Sequence, residues 1–164
     1  ARLLGATTII AVDGNDHRLG IAQKMGADVT LNFKNCDVID EIMKITGGRG
    51  ADSAIEALGT QATFESALRS IKPGGTLSSL GVYSEDLKIP LSAFAAGLGD
   101  HKINTALCPG GKERMRRLMN VLASNRLDLG LLVTHQYKLD DIVAAYDLFA
   151  HQRDGVLKVA ITPQ

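Results

Sequence analysis

The chain has 164 residues, 45% of them hydrophobic and 22% charged, with eighteen basic residues against eighteen acidic ones. That is enough apolar material for one buried core and too much for a disordered chain. A net charge of zero with only 4% aromatic content argues against a nucleic-acid groove, which needs a basic stripe and stacking platforms, and no apolar run approaches the ~18 residues that cross a bilayer.

In chain order, "ARLLGA" has the form of the last turns of a helix closed by Gly5, so the start of that helix, and of the protein, is expected upstream of Ala1. Residues 7–13, "TTIIAVD", make an apolar strand that ends in an acid. A helix from about Asn15 to Met25 follows, then a strand over 28–33, then a helix opening at Asp37 and closed by Gly47 and Gly48. A strand over 51–58 leads to a helix from Thr60 with Phe64, Ala67, Leu68 and Ile71 on one face, stopped by Pro73, Gly74 and Gly75. Residues 76–82 and 102–108 supply two further strands. Strands separated by short helices imply right-handed crossovers and a parallel sheet covered on both faces. From Pro109 a longer amphipathic helix is expected to turn Met115, Leu118, Met119 and Leu122 inward, with Arg114, Arg116 and Arg117 on its solvated side. A short strand and a helix over 132–149 and a closing strand over 156–162 complete the chain, which shows no repeat and no dividing linker.

Asp13 raises the chemical question. An acid at the carboxyl end of the second strand of a dinucleotide-binding fold accepts hydrogen bonds from the adenosine ribose. Such an acid follows a G-x-G-x-x-G turn by about 20 residues, and no such turn occurs in the chain. The alternative is that Asp13, Asn15 and Asp16 form a polar turn that caps the next helix. Two cysteines, Cys36 and Cys108, without a C-x-x-C or a third thiol, point to reduced thiols and give no structural zinc site. Cys108 has the setting of a small buried thiol, with no histidine or basic partner near it in sequence. No two of His17, His101, His135 and His151 have metal-ligand spacing.

The segments "IIAVDGNDHRLGIAQKMGAD", "GGRGADSAIEALG", "IKPGGTLSSLGVY", "TALCPGG" and "LVTHQYKLDDIVAAYDLF", in that order, resemble the C-terminal half of a zinc-dependent medium-chain alcohol dehydrogenase. "LCPGG" ahead of a basic helix is similar to the secondary-alcohol branch, and the likeness covers essentially the whole chain. It implies an α/β fold: a Rossmann-type, doubly wound, three-layer parallel sheet of order 3-2-1-4-5-6, here lacking the first strand and its glycine loop. Residues 1–108 would form the partial cofactor-binding domain, and 109–164 the helices and closing strand that return towards an absent catalytic domain.

The same resemblance implies site residues. Asp13 accepts the ribose hydroxyls, Gly14 leaves room beside the adenine, and Arg18 is the basic ribose contact. Ala57, Leu58 and Gly59, ending their strand, form the adenosine-side wall. Leu80, Gly81 and Val82, ending theirs, offer backbone groups to the nicotinamide carboxamide, and Lys158 reaches the pyrophosphate. NAD is favoured over NADP, because a carboxylate repels the 2′-phosphate and NADP users in this branch resemble Gly-Ser-Arg at 13–15. Zinc acts in the family as a Lewis acid on the alcohol oxygen, with its ligands expected only in the missing N-terminal domain. The implied protein is a cytoplasmic homo-oligomer, a dimer or tetramer, that takes small secondary alcohols or ketones; these residues alone are expected to be inactive. Two other classes fit parts of the pattern: an S-adenosylmethionine-dependent methyltransferase, which would finish in an antiparallel hairpin, and a non-catalytic nucleotide-sensing domain.

Overall fold

The computed structural model describes residues 1–106 and 110–163, so the expectation for Cys108 lies outside the described residues. Twelve main elements alternate along them: β1 (Ile10–Asp13), α1 (Asp16–Lys24), β2 (Val29–Asn32), α2 (Val38–Ile45), β3 (Ala51–Glu56), α3 (Gln61–Ser70), β4 (Ile71–Ser79), β5 (Lys102–Thr105), α4 (Lys112–Ala123), β6 (Val133–Lys138), α5 (Ile142–Ala150) and β7 (Lys158–Thr162). Every strand pairing is parallel, in ladders β1-β2, β3-β4-β5 and β6-β7. The first two are the 3-2 and 4-5-6 pairings of the order expected from sequence. The residues group into two compact units, Ala1–Asn35 with Lys112–Gln164, and Cys36–Gly111, a different division from 1–108 and 109–164.

In the first unit a 3₁₀ turn over Arg2–Leu4 ends at Gly5 in the left-handed region, φ 91°. Arg2 then pins the start of the ladder: it contacts Asp28 at 2.5 Å and donates to the Gly26 carbonyl at 2.9 Å, while Asp28 also accepts from Ile9 N–H at 2.7 Å. Those donors hold the Asp28 carboxyl below its ordinary range, the Ile9 N–H foremost. Asn15 caps α1, accepting from the N–H groups of His17 and Arg18. Leu19 and Leu31 are buried. The turn at Gly155 packs so closely on α1 that a Cβ there would lie 3.2 Å from His17 Nε2, which ties the C-terminal segment to the N-terminal one.

The face of α4 expected to turn inward is exposed instead. Met115, Leu118 and Met119 are 60%, 55% and 54% exposed, and only Leu122 of the four is half-buried. Periodicity shows that an apolar stripe exists, not what it packs on, and within this chain α4 has no buried residue. Its arginines behave as expected of a solvated face, with Arg116 and Arg117 both paired to Glu113.

The second unit holds the main core: Phe64, Leu68, Ile71, Leu77 and Ala93, with Ala54, Ala67, Tyr83 and Phe94 packed around them. The face expected of α3 is therefore the buried one, although Ile71 (φ −90°, ψ 149°) already belongs to β4. The helix stops before Pro73 because the chain turns extended at Ile71, which pairs with Ala51; the register slips between Ala51 and Ser53, and Ser53 pairs with Thr76 beyond the Pro73–Gly75 kink. Val12 and Ile55 remain 44% and 62% exposed, so the expectation of strands covered on both faces fails for these positions within the chain itself.

Candidate functional site

The sequence candidates fall into two groups, one in each unit. In the first, β1 delivers Asp13 to its carboxyl end and the chain turns there into α1. Asp13 is half-buried and its Oδ1 accepts from Asn15 N–H at 2.9 Å, while Asn15, not Asp13, supplies the side chain that caps the helix. The acid is thus not consumed by capping. Gly14 is held against the end of β2: a Cβ at that position would lie 2.4 Å from Phe33 Cζ and 3.1 Å from Lys34 Cε. Phe33 is itself 56% exposed, so the corner presents a carboxylate, a bare backbone and an aromatic ring together. Arg18 lies half-buried on the first turn of α1. Lys158 is exposed at the start of β7, where its carbonyl accepts from the Thr134 hydroxyl at 3.3 Å.

In the second unit the triplets lie just beyond the strands rather than within them, because β3 ends at Glu56 and β4 at Ser79. Ala57, Leu58 and Gly59 form one loop and Leu80, Gly81 and Val82 the other. The two loops touch through backbone. A Cβ on Gly59, whose φ is +94°, would lie 2.4 Å from the Val82 carbonyl oxygen, and one on Gly81 would lie 2.3 Å from Gly59 N. Leu58, Leu80 and Val82 turn their side chains outward, 68%, 49% and 82% exposed.

Beneath both loops lies a residue that the sequence reading missed. Glu56 is 3% exposed. Its Oε1 accepts from the N–H groups of Leu58 and Gly59, each at 2.7 Å, and from the Thr63 hydroxyl at 2.8 Å. Its Oε2 accepts from the Tyr83 hydroxyl at 2.6 Å and from Ser79 at 3.4 Å. Burial alone would raise the pKa of this carboxyl, but the donors, led by Tyr83 and then Gly59 and Leu58, outweigh it and bring the pKa down to about 2. Burial and the bond to Glu56 push the Tyr83 phenol up in turn. The signal available in sequence was an acid closing an apolar strand with a glycine soon after it, Gly14 after Asp13 and Gly59 after Glu56. Phe33 carried a similar signal, an aromatic residue directly after a strand.

Among the described residues no group of three or more His, Cys, Asp or Glu is placed to hold a metal ion, so zinc chemistry is assigned to none of them. His135 instead contacts Thr134 and Asp154, at 2.9 and 3.2 Å. The chain closes in a parallel β6-β7 pair, not in the antiparallel hairpin that a methyltransferase would require. Among the described residues no helix is long and apolar enough to cross a membrane.

Comparison with known proteins gives a family match over residues 1–124, to the model described as zinc-binding dehydrogenase. An alcohol dehydrogenase of Cupriavidus necator is 83% identical over 99% of this chain and 44% of its own length. An NADP-dependent isopropanol dehydrogenase of Clostridium beijerinckii is 35% identical over 98% of the chain and 47% of its own length. Among solved structures, an alcohol dehydrogenase from Thermus sp. ATN1 superposes with a TM-score of 0.89 at 28% identity, covering 99% of this chain and 46% of that one. The chain thus spans about half the length of the relatives it matches.

Proposed function

The chain belongs to the zinc-binding dehydrogenase family, and from that premise we propose that it is the NAD-binding part of an alcohol dehydrogenase that interconverts secondary alcohols and ketones. The observation that carries the choice of NAD is the corner of Asp13, Gly14 and Phe33. A carboxylate in that place accepts from both ribose hydroxyls and repels a 2′-phosphate. Gly14 keeps the backbone bare, and Phe33 offers a face to the adenine. Arg18 completes the ribose contacts. Ala57, Leu58 and Gly59 wall the adenosine side, the backbone of Leu80, Gly81 and Val82 meets the carboxamide, and Lys158 meets the pyrophosphate.

NAD, when bound, supplies the hydride acceptor for alcohol oxidation. The part of these residues is to hold the nicotinamide in one orientation, which converts hydride transfer into a positioned, effectively unimolecular step. The partner is a small secondary alcohol or ketone, and zinc dependence belongs to the whole enzyme. We also assign the whole enzyme a homo-oligomeric state: β5 exposes all four of its residues and pairs only with β4 among the described strands, an edge that a second copy can cover.

The test is the triple change Asp13→Gly, Gly14→Ser and Asn15→Arg in the full-length enzyme, assayed with propan-2-ol. The ratio of kcat/KM for NADP over NAD should rise by about one to two decades, the worth of a charge-assisted hydrogen bond. The fold sets a cost on this exchange, since Asn15 caps α1 and a Ser at 14 would press on Phe33. An unchanged ratio in the folded variant removes Asp13 from the site.

A further inference from the structure

We propose that Glu56 is a positioning residue: it locks the loops after β3 and β4 into the shape that receives the nicotinamide cofactor, and so sets cofactor affinity without touching the cofactor. The inference rests on the cofactor-binding reading of those loops.

The geometry assigns one carboxylate oxygen to each loop. Oε1 gathers the N–H groups of Leu58 and Gly59, fixing the first loop, and Oε2 takes the hydroxyl of Tyr83, fixing the second. Every one of these donors is neutral. A buried charge held only by dipoles is costly to place, and each donor removed compensates it less well. Two further contacts stiffen the arrangement. Tyr83 stands edge-on to Phe64, ring centroids 6.2 Å apart at 83°, and so ties the second loop to the core. Thr63 joins the carboxylate to the first turn of α3, where it also completes a capping box with Thr60.

With the N–H groups of the first loop turned inward onto Glu56, the outward-facing groups are the apolar side chains of Leu58, Leu80 and Val82, a surface suited to a flat ring. Gly59 and Gly81 lie closer than any Cβ allows, so the two loops pack backbone against backbone above Glu56.

The experiment uses the full-length enzyme and reads two quantities side by side: the NADH dissociation constant by fluorescence titration, and KM for NAD against KM for alcohol. Glu56→Gln keeps the size of the side chain and one acceptor oxygen but sets an amide donor against the Tyr83 and Ser79 hydroxyls. It should raise the NADH Kd and KM for NAD about tenfold and leave KM for the alcohol close to wild type. Tyr83→Phe removes one donor and should raise both cofactor constants about threefold, and the double variant should be no worse than Glu56→Gln alone, because both act through one contact. Ile42→Val, buried on α2 in the same unit, serves as the control for lost stability without loop contact. Should Glu56→Gln fail to fold, Tyr83→Phe carries the decision. Cofactor constants that stay at wild type, or that follow the thermal midpoint as they do in Ile42→Val, overturn the proposal. A wild-type enzyme that binds no NADH instead overturns the cofactor-binding reading on which it stands.

Discussion

Replacing Gly81 by Ala tests whether the two loops are packed as tightly as they look. The added Cβ would lie 2.3 Å from Gly59 N, 2.5 Å from Gly59 Cα and 2.6 Å from Glu56 Oε2. Carbon needs about 3.5 Å from such atoms, and two of the three are backbone, so the loops must part by about 1 Å. That separation stretches the 2.6 Å bond from the Tyr83 hydroxyl to Glu56, the bond that joins the two loops, to about 3.6 Å, beyond hydrogen-bond range. Overpacking costs about 1–3 kcal/mol and each lost charge-assisted bond about 1.5–3 kcal/mol; because relaxation that relieves one worsens the other, a net loss of about 2–4 kcal/mol is expected. The same chemical change at Gly20, in the middle of α1 with nothing within 4 Å of the new methyl, should stabilise by about 0.5–1 kcal/mol. Denaturant midpoints and NADH titrations of the two variants decide the matter. Equal midpoints and equal affinities would show that the loops yield freely and would refute the packing argument.

Three further outcomes follow from particular residues. The pKa of Glu56 falls from 4.5 to about 2 on folding, so its stabilisation is complete above about pH 4.5 and is lost as pH falls through 2; Glu56→Gln should flatten acid-unfolding curves in that window, and a parallel curve would contradict it. Asp37 accepts from Asp40 N–H at the start of α2, and Asp37→Ala should cost about 1 kcal/mol, seen as faster hydrogen exchange confined to the first turns of that helix. Thr105→Pro in β5 should dissociate the oligomer in sedimentation velocity, and a full-length wild type that sediments as a monomer would refute the edge-pairing proposal.

Local signals explain why most of the architecture was legible in the sequence. Asn15, Asp37 and Thr60 announce helix starts through short-range capping, and all three cap as expected. The buried face of α3 followed from its period. What failed depended on distance. Nothing local to Ile71 tells that it pairs with Ala51 instead of continuing α3, and the period that aligns Met115, Leu118 and Met119 carries no information about a partner surface. Of the candidate site, Asp13 and the two loops are recognisable in sequence by their place at strand ends. Glu56 is not, since its role depends on Tyr83, twenty-seven residues away, and on the approach of Gly59 to Gly81. Phe33 was missed for the same reason, its contact with Gly14 arising only when β1 and β2 pair.

Direct titration of the full-length enzyme with NADH and with NADPH tests the central claim, that the corner at Asp13 is an adenosine-ribose site built for NAD. NADH should bind at least about tenfold more tightly than NADPH, and Asp13→Gly should shrink that difference by weakening NADH and strengthening NADPH. NADPH binding as tightly as NADH to the wild type, or a preference indifferent to Asp13→Gly, would contradict the account.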